Sequence, residues 1–416
     1  MCDAPGEITG HPMEQTLNPP RRSALALTAL AYIPAVLCMM TSGVIVPFIE
    51  TLSRDLATTP PQLGLALALF SMPSAILATM GGGLIDKYGL RRSMLAAVSA
   101  STVGSLLGSQ AHSLLALDCA MVVSGLGFAG ICVAAPCLII ATLSNGARIR
   151  AMAFCSTFAP TGYAAGLLLA VPFTGSGDWH TALLTHAALM VGAFIGLWIF
   201  VPHVDSVVGE RRESLRATLT RMLDIVREPR ALRLGLAVAL PNAVSYGTSI
   251  AAPSYLARVH HLSIASSSAT VAFAKIAAVV IGGLSMGHLL SRTSRTTLLF
   301  AVMVAIGVLA QTILFLPASG IALATVGLIL WLFAFGGMAG GGMTLLPTVS
   351  RDPARSGAAS GLVNQFISLA SFATPSTWLA LHSGAQYVGL ATVCLIISLI
   401  ALPAVTSPNQ TTPAAV

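Results

Sequence analysis

Two features of this sequence place ionic chemistry where charge is costly. One is the turn Gly82, Gly83, Leu84, Ile85, Asp86, Lys87, Tyr88, Gly89, Leu90, Arg91, Arg92, which sets a carboxylate beside three cations between two long apolar runs. Such a cluster can make and break charge-assisted hydrogen bonds, which suits a latch between moving parts better than a soluble catalytic centre. The other is Lys275, the only Lys or Arg within a long apolar run. An ionised group near the centre of a membrane helix costs about 2.5 to 3.5 kcal/mol, so it is expected to face a cavity or a counter-charge. Its helix face (Ser268, Val271, Ala272, Ala278, Val279, Gly282) is lined mostly by small residues, which leaves room around the ammonium. It can serve as counter-ion to a bound anion, or as a group whose protonation takes part in coupling. The structural alternative is a lysine satisfied by backbone carbonyls or by Asp118.

The elements that must position these residues follow from composition. Of 416 residues, 55% are hydrophobic and 8% charged, against about 25% charged in an ordinary soluble chain. A helix needs roughly 20 apolar residues to cross the hydrocarbon core, and twelve runs qualify: 24–48, 61–83, 94–111, 114–142, 151–173, 181–202, 234–256, 266–290, 297–317, 321–348, 357–380 and 386–405. The runs are continuous and do not alternate, which predicts helices and not barrel strands. The net charge of +7 is a topology signal: apart from Arg54, Arg258 and Lys275, every Lys and Arg falls on the side of the first residues. Since these cations are retained in cytoplasmic loops, both termini are expected inside, with no nucleic-acid partner implied. Residues 1–20 are polar and hold Pro19 and Pro20, so no cleaved signal peptide is expected. The seven cysteines show no metal-ligand or redox spacing and read as packing residues.

The numbering contains a repeat. Gly82, Leu84 and Lys87 recur as Gly287, Leu289 and Arg292 at an offset of 205, and the same offset relates Arg150 to Arg355 and Arg22 to Arg227. This predicts an all-α integral membrane protein of two six-helix pseudo-repeats. Residues 1–22 form an N-terminal tail, 23–202 the first half, 203–233 a linker, 234–405 the second half and 406–416 a C-terminal tail. The linker turns amphipathic, with Leu215, Leu219, Met222, Leu223 and Val226 at helical spacing.

The turn at Gly82–Arg92 resembles the loop between the second and third helices of the major facilitator superfamily, with Leu90 where the first trailing cation is expected. The resemblance, together with the repeated halves, spans essentially the whole chain. It implies a secondary active carrier that moves a small solute by alternating access, with a central cavity between the halves. It also implies that Gly82, Asp86, Lys87, Gly89, Arg91 and Arg92 form a cytoplasmic gate, with Arg148 and Arg150 as partners of the carboxylate. Asp86 maps onto Ser291, so one gate alone keeps its acid. Gly162 and Gly166 resemble the start of the drug-antiporter motif, but Leu167 stands where its proline would be, and Met121 replaces the arginine that proton-coupled members often carry before Gly125. The glycines are expected to serve close helix packing.

Candidate substrate contacts are Lys275 with Tyr32, Tyr163, Asn242, Ser245, Tyr246, Ser249, Asn364, Gln365 and Ser368. Pro34, Pro73 and Pro241 lie within spans and are expected to kink them. Asp118 is the one carboxylate within a span and a candidate for coupling to protons, and His186 is a titratable group expected to be structural. No phosphate-binding loop supports primary transport, and the histidines show no ligand spacing, so neither an enzyme nor a metal or cofactor site is expected. The expected partners are a small solute bearing an anionic group, protons or a counter-transported solute, and the bilayer of the inner (plasma) membrane, with the chain acting as a monomer. The second reading is an exporter of a drug or of a secreted metabolite such as a siderophore.

The cation asymmetry generates the first prediction. In a cysteine-free background, Ser113→Cys and Gly177→Cys should react with an impermeant thiol reagent in whole cells and Ser214→Cys should not. Labelling at 214 from outside overturns the orientation.

Overall fold

A computed structural model describes residues 21–77, 85, 87–201, 229–293, 295–345 and 356–402. Among these the secondary structure is helical. We number the α-helices α1 (Arg21–Ile45), α2 (Ile49–Asp55), α3 (Pro60–Leu77), α4 (Leu90–Ser109), α5 (Leu114–Thr142), α6 (Asn145–Cys155), α7 (Phe158–Thr174), α8 (Trp179–Phe200), α9 (Pro229–His260), α10 (Ile264–Arg292), α11 (Thr296–Leu314), α12 (Ile321–Thr344), α13 (Ser356–Leu379) and α14 (Gly384–Ala401). A single 3-10 turn at Val46–Phe48, with Pro47 inside it, joins α1 to α2, and the two run on as one span. Eight helical stretches among the described residues are long and apolar enough to cross a membrane, and the bent pair α6–α7 makes a ninth. The described part of α3 is short, and α4 and α13 are diluted by serines, asparagine and arginines. These three complete the twelve.

Two departures from the sequence reading concern boundaries. Residues 151–173, expected as one helix, are divided at Ser156–Thr157, where the two pieces meet at 41°. Pro160 stands in the first turn of α7 and cannot donate to the preceding turn. The hydroxyls of Ser156 and Thr157 also turn back onto the carbonyls of Ala153 and Phe154, an alternative to the helical ladder. The seventh span, α9, already includes Pro229, inside the stretch 203–233 expected as linker; the amphipathic part of that stretch lies outside the described residues.

The packing repeats as the numbering does. The first span packs on the fourth, fifth and sixth, the second on the fourth, and the third on the fourth and sixth. The second half reproduces each of these contacts, with α9 on α12, α13 and α14, α10 on α12, and α11 on α12 and α14. The halves meet along two seams, α3 against α13 and α7 against α10, which the same symmetry exchanges. Even a helix start repeats, for Asp178 caps α8 through Thr181 and Ser383 caps α14 through Gln386, again 205 residues apart.

Glycines set how closely these helices approach. A Cβ on Gly166 would lie 2.4 Å from the Met40 carbonyl oxygen, and one on Gly125 2.3 Å from that of Phe70. Gly162 likewise faces the Val36 carbonyl at 2.5 Å, so this pair of glycines does serve helix contact. Across the halves, a Cβ on Gly64 would meet Ser376 Cα at 2.6 Å. That seam closes the end of the bundle that holds Asp55 and Asp178. Toward the other end, which holds Lys87 and Arg148 and is called the basic end below, the first half has a core of its own from Ala31 to Val201, separate from the core that joins both halves. Among the described residues, the halves are thus packed together at one end and parted at the other.

His186 is fully buried and holds three helices together, its Nδ1 2.8 Å from Ser105 Oγ and its Nε2 2.8 Å from the Leu37 carbonyl oxygen. Cations finish the sixth helix of each half: Arg91 donates to the Trp198 carbonyl, and Arg233 to those of Ile400, Ala401 and Leu402, as the negative end of a helix favours.

Two tests follow from this packing. Gly166→Ala should destabilise the protein by about 1 to 3 kcal/mol, because backbone must move to admit the methyl; Gly192→Ala, where a Cβ meets nothing within 4 Å, should leave the melting temperature in detergent unchanged. His186→Phe should lower stability by about 1 to 3 kcal/mol through the groups it leaves unpaired, without moving the pH profile of transport; a moved profile at wild-type stability would give the imidazole a proton-carrying role.

Candidate functional site

The parted end opens into a cavity of about 520 Å³ near the middle of the bundle. Spans one, two, four and five line it from the first half, and spans seven, eight, ten and eleven from the second. Its wall includes exposed residues, Ser156 and Asn364, on the side of the basic end.

Lys275 is at its wall and only 6% exposed. The ammonium donates to Ser249 Oγ at 2.6 Å, and Ser249 in turn donates to the Ser245 carbonyl oxygen at 2.6 Å. The Tyr163 ring lies beneath the same nitrogen, 4.7 Å from it, and Tyr163 meets Tyr246 edge to face at 5.9 Å. Among the described residues no carboxylate stands within ion-pairing reach of Lys275. A hydroxyl and a ring face therefore hold a cation that has three N–H donors to place. Further polar groups in the cavity wall, among them Ser74 Oγ, Tyr163 Oη and Ser245 Oγ, are buried without a hydrogen-bond partner. Such groups are expensive unless something else supplies the missing partner.

The wall has two characters. Phe70, Phe128 and Phe158 come from α3, α5 and α7; the first two rings stack at 5.1 Å and the last two meet at 6.2 Å. The second half contributes Asn242, Ser245, Lys275, Asn364, Ser368 and Ser371 with Phe335 and Ile367 among them, and Ser71 and Ser74 stand beside the rings of the first half. The repeat explains the contrast. At the offset of 205, Phe70 corresponds to Lys275, Ala159 to Asn364 and Tyr163 to Ser368, and all six line the cavity. Phe70 against Lys275 and Ala159 against Asn364 have diverged from apolar to polar, while Tyr163 and Ser368 both carry a hydroxyl.

Of the residues singled out in the sequence, Lys275, Tyr163, Asn242, Ser245, Tyr246, Asn364 and Ser368 share this wall, and Ser249 holds Lys275 from behind. Gln365 is outside the wall. So is Tyr32, whose hydroxyl lies 3.1 Å from Thr157 Oγ1 and whose ring lies 4.3 Å from that of Phe154, at the break between α6 and α7. Asp118 is half-buried near the closed end, away from the cavity wall and from Lys275, with Oδ1 buried and without a hydrogen bond.

Of the residues expected to form a gate, Gly82 and Asp86 lie outside the described residues. Gly89 takes a positive φ of 83° just before α4, where a side chain would be strained. Lys87 is exposed over the Tyr88 ring at 4.9 Å. Arg91 lies over the Trp198 ring at 5.6 Å and is thereby tied to α8. Arg92 and Arg150 are exposed and Arg148 is half-buried in α6. Sequence reasoning missed the three phenylalanines, because a phenylalanine in an apolar span has the look of core or lipid contact; the offset that carries Lys275 onto Phe70 was the available signal.

The family model described as Major Facilitator Superfamily matches residues 31–375. A protein of Arabidopsis thaliana described as "Probable plastidic glucose transporter 1" is 28% identical over 134 residues, 32% of this chain and 25% of that protein; the match thus spans about a quarter of the relative's length. Among solved structures, a crystal structure of a point mutant of the nucleoside transporter NupG superimposes with a TM-score of 0.75 at 12% identity, covering 91% of this chain and all of the other. That likeness is one of fold.

Proposed function

The chain belongs to the Major Facilitator Superfamily, and on that premise we propose that it is a secondary active transporter of a small organic solute bearing an anionic group, working by alternating access. As a member of a family of transporters it is a multi-pass membrane protein and not an enzyme. The observation that carries the substrate reading is the Lys275 ammonium, buried in the cavity wall between the halves and held by a hydroxyl and a ring face. A desolvated cation that lacks a carboxylate is poorly compensated, and an anion entering the cavity supplies what it lacks. The break in the fifth span supports the same reading, because α7 starts in the cavity wall with Phe158 and Ala159, and the positive end of a broken helix suits an anionic group.

The inner membrane with both termini cytoplasmic is the placement that the distribution of Arg and Lys supports. In that orientation the basic end faces the cytoplasm and the cavity is open inward. The Asp86 carboxylate, with Arg148 and Arg150 as its partners, is then the latch of the opposite state, in which the cytoplasmic end closes. Transport is driven by protons or by a counter-transported solute, and Asp118 is the carboxylate to test for proton coupling.

The test is at Lys275. Lys275→Ala should weaken binding of an organic anion, measured by calorimetry on the purified chain, by more than the ~1 kcal/mol of an exposed ion pair. Lys275→Arg should retain part of the affinity, since it keeps the charge and alters the donor geometry. A Lys275→Ala protein of normal stability with unchanged anion affinity and rate would sink the reading.

A further inference from the structure

We propose that the solute is a planar aromatic monocarboxylate, bound with its ring against the phenylalanine wall of the first half and its carboxylate toward Lys275. This rests on the organic-anion reading above and narrows it.

The single charge comes from the electrostatics of the wall. Among the described residues of the wall Lys275 is the one cation, and the polar groups that share it, Asn242, Ser245, Asn364 and Ser368, are neutral. One ammonium compensates one negative charge, while the second charge of a dianion would be left desolvated. The neutral amides and hydroxyls are suited to the remaining lone pairs of a carboxylate, and two of the buried hydroxyls, of Ser245 and Tyr163, have no protein partner.

The ring comes from the phenylalanine wall. Phe70, Phe128 and Phe158 form a continuous series, with centroids 5.1 Å and 6.2 Å apart and interplanar angles of 29° and 51°. Phe70 is almost wholly buried, whereas Phe128 and Phe158 are partly exposed at the cavity. Leucine or isoleucine would also make an apolar wall. Three rings contributed by three helices add something aliphatic side chains lack, namely faces and edges that favour another aromatic group in offset or edge-on contact. A rigid planar solute also gives up fewer internal rotations on binding than a flexible chain of equal size. At about 520 Å³ the cavity is roomier than one ring requires and falls within the usual range for small-molecule sites of about 300 to 1,000 Å³, so a bicyclic acid is the natural probe.

The experiment separates ring from charge. The purified full chain is titrated calorimetrically with 2-naphthoate, 2-naphthamide and octanoate, and the titrations are repeated on Phe128→Leu, Phe158→Leu and Lys275→Ala. The expected result is naphthoate binding about tenfold more tightly than either comparator, over octanoate by an aromatic contact plus its rigidity and over naphthamide by the loss of the charge facing Lys275. The preference for naphthoate over octanoate should collapse in Phe128→Leu or Phe158→Leu, and that over naphthamide in Lys275→Ala. Two phenylalanine variants are used so that a folding defect in one does not remove the test. If both acids bind equally and both depend on Lys275, the aromatic proposal is overturned while the anion reading survives. If naphthamide binds as well as naphthoate, the charge requirement fails and both fall. Failure of all three probes to bind the stable wild-type chain overturns the aromatic proposal.

Discussion

Helices in lipid gain little from burying apolar surface against one another, because the tails around them are equally apolar; close backbone approach and the dispersion it permits must hold the bundle together. This constraint is written in the glycines. Gly43 and Gly166 bring the first span onto the fifth, Gly125 the fourth onto the second, Gly282 and Gly336 the eighth onto the tenth, each with a neighbouring carbonyl where a Cβ would otherwise stand. Because each half is consolidated by such contacts, it can keep its shape while parting from the other half at the basic end. The cavity exists because the halves are internally tight and their mutual seams few.

Duplication then supplies a site with two faces. A symmetric pair of halves would line the cavity with matching residues, and matching walls favour a solute with matching ends. Here the correspondence of Phe70 to Lys275, and of Ala159 to Asn364, gives unlike walls at equal depth. The gate has diverged by the same route, with Asp86 in one copy and Ser291 in the other. The architecture is thus nearly symmetric where it packs and asymmetric along the cavity wall and in the motif proposed as the latch.

This division also decides what could be read from the sequence. The spans were legible because a membrane helix needs an unbroken apolar run, and the repeat because an offset of 205 survives in a few loop residues. Lys275 stood out because charge inside a span is rare. The break at Ser156–Thr157 was hidden, since Pro160 removes one N–H without lowering the apolarity of the run 151–173. Tyr32, a cavity candidate by residue type, stands against Thr157, because which face of a span meets the cavity depends on tertiary packing that one sequence does not display. The phenylalanines were hidden for a related reason: their types suit core, lipid and ligand alike. The latch acid lies outside the described residues, so its reading still rests on the motif.

Lys275 has a consequence for energetics as well as for recognition. When the halves rock, the cavity that holds the ammonium passes through a state closed at both ends, in which water is excluded and an uncompensated charge is at its most costly. An anionic solute seated beside it makes the site neutral and lowers that barrier for the loaded carrier. Return of the empty carrier meets the full cost unless the lysine gives up its proton or a second anion takes the place of the first. The first route ties transport to a proton, the second to exchange, and the two are the couplings proposed for this chain. On the proposed reading, a Lys275 with no carboxylate partner among the described residues therefore also discourages uncoupled leakage, since an internal partner would lower the cost of returning the empty carrier.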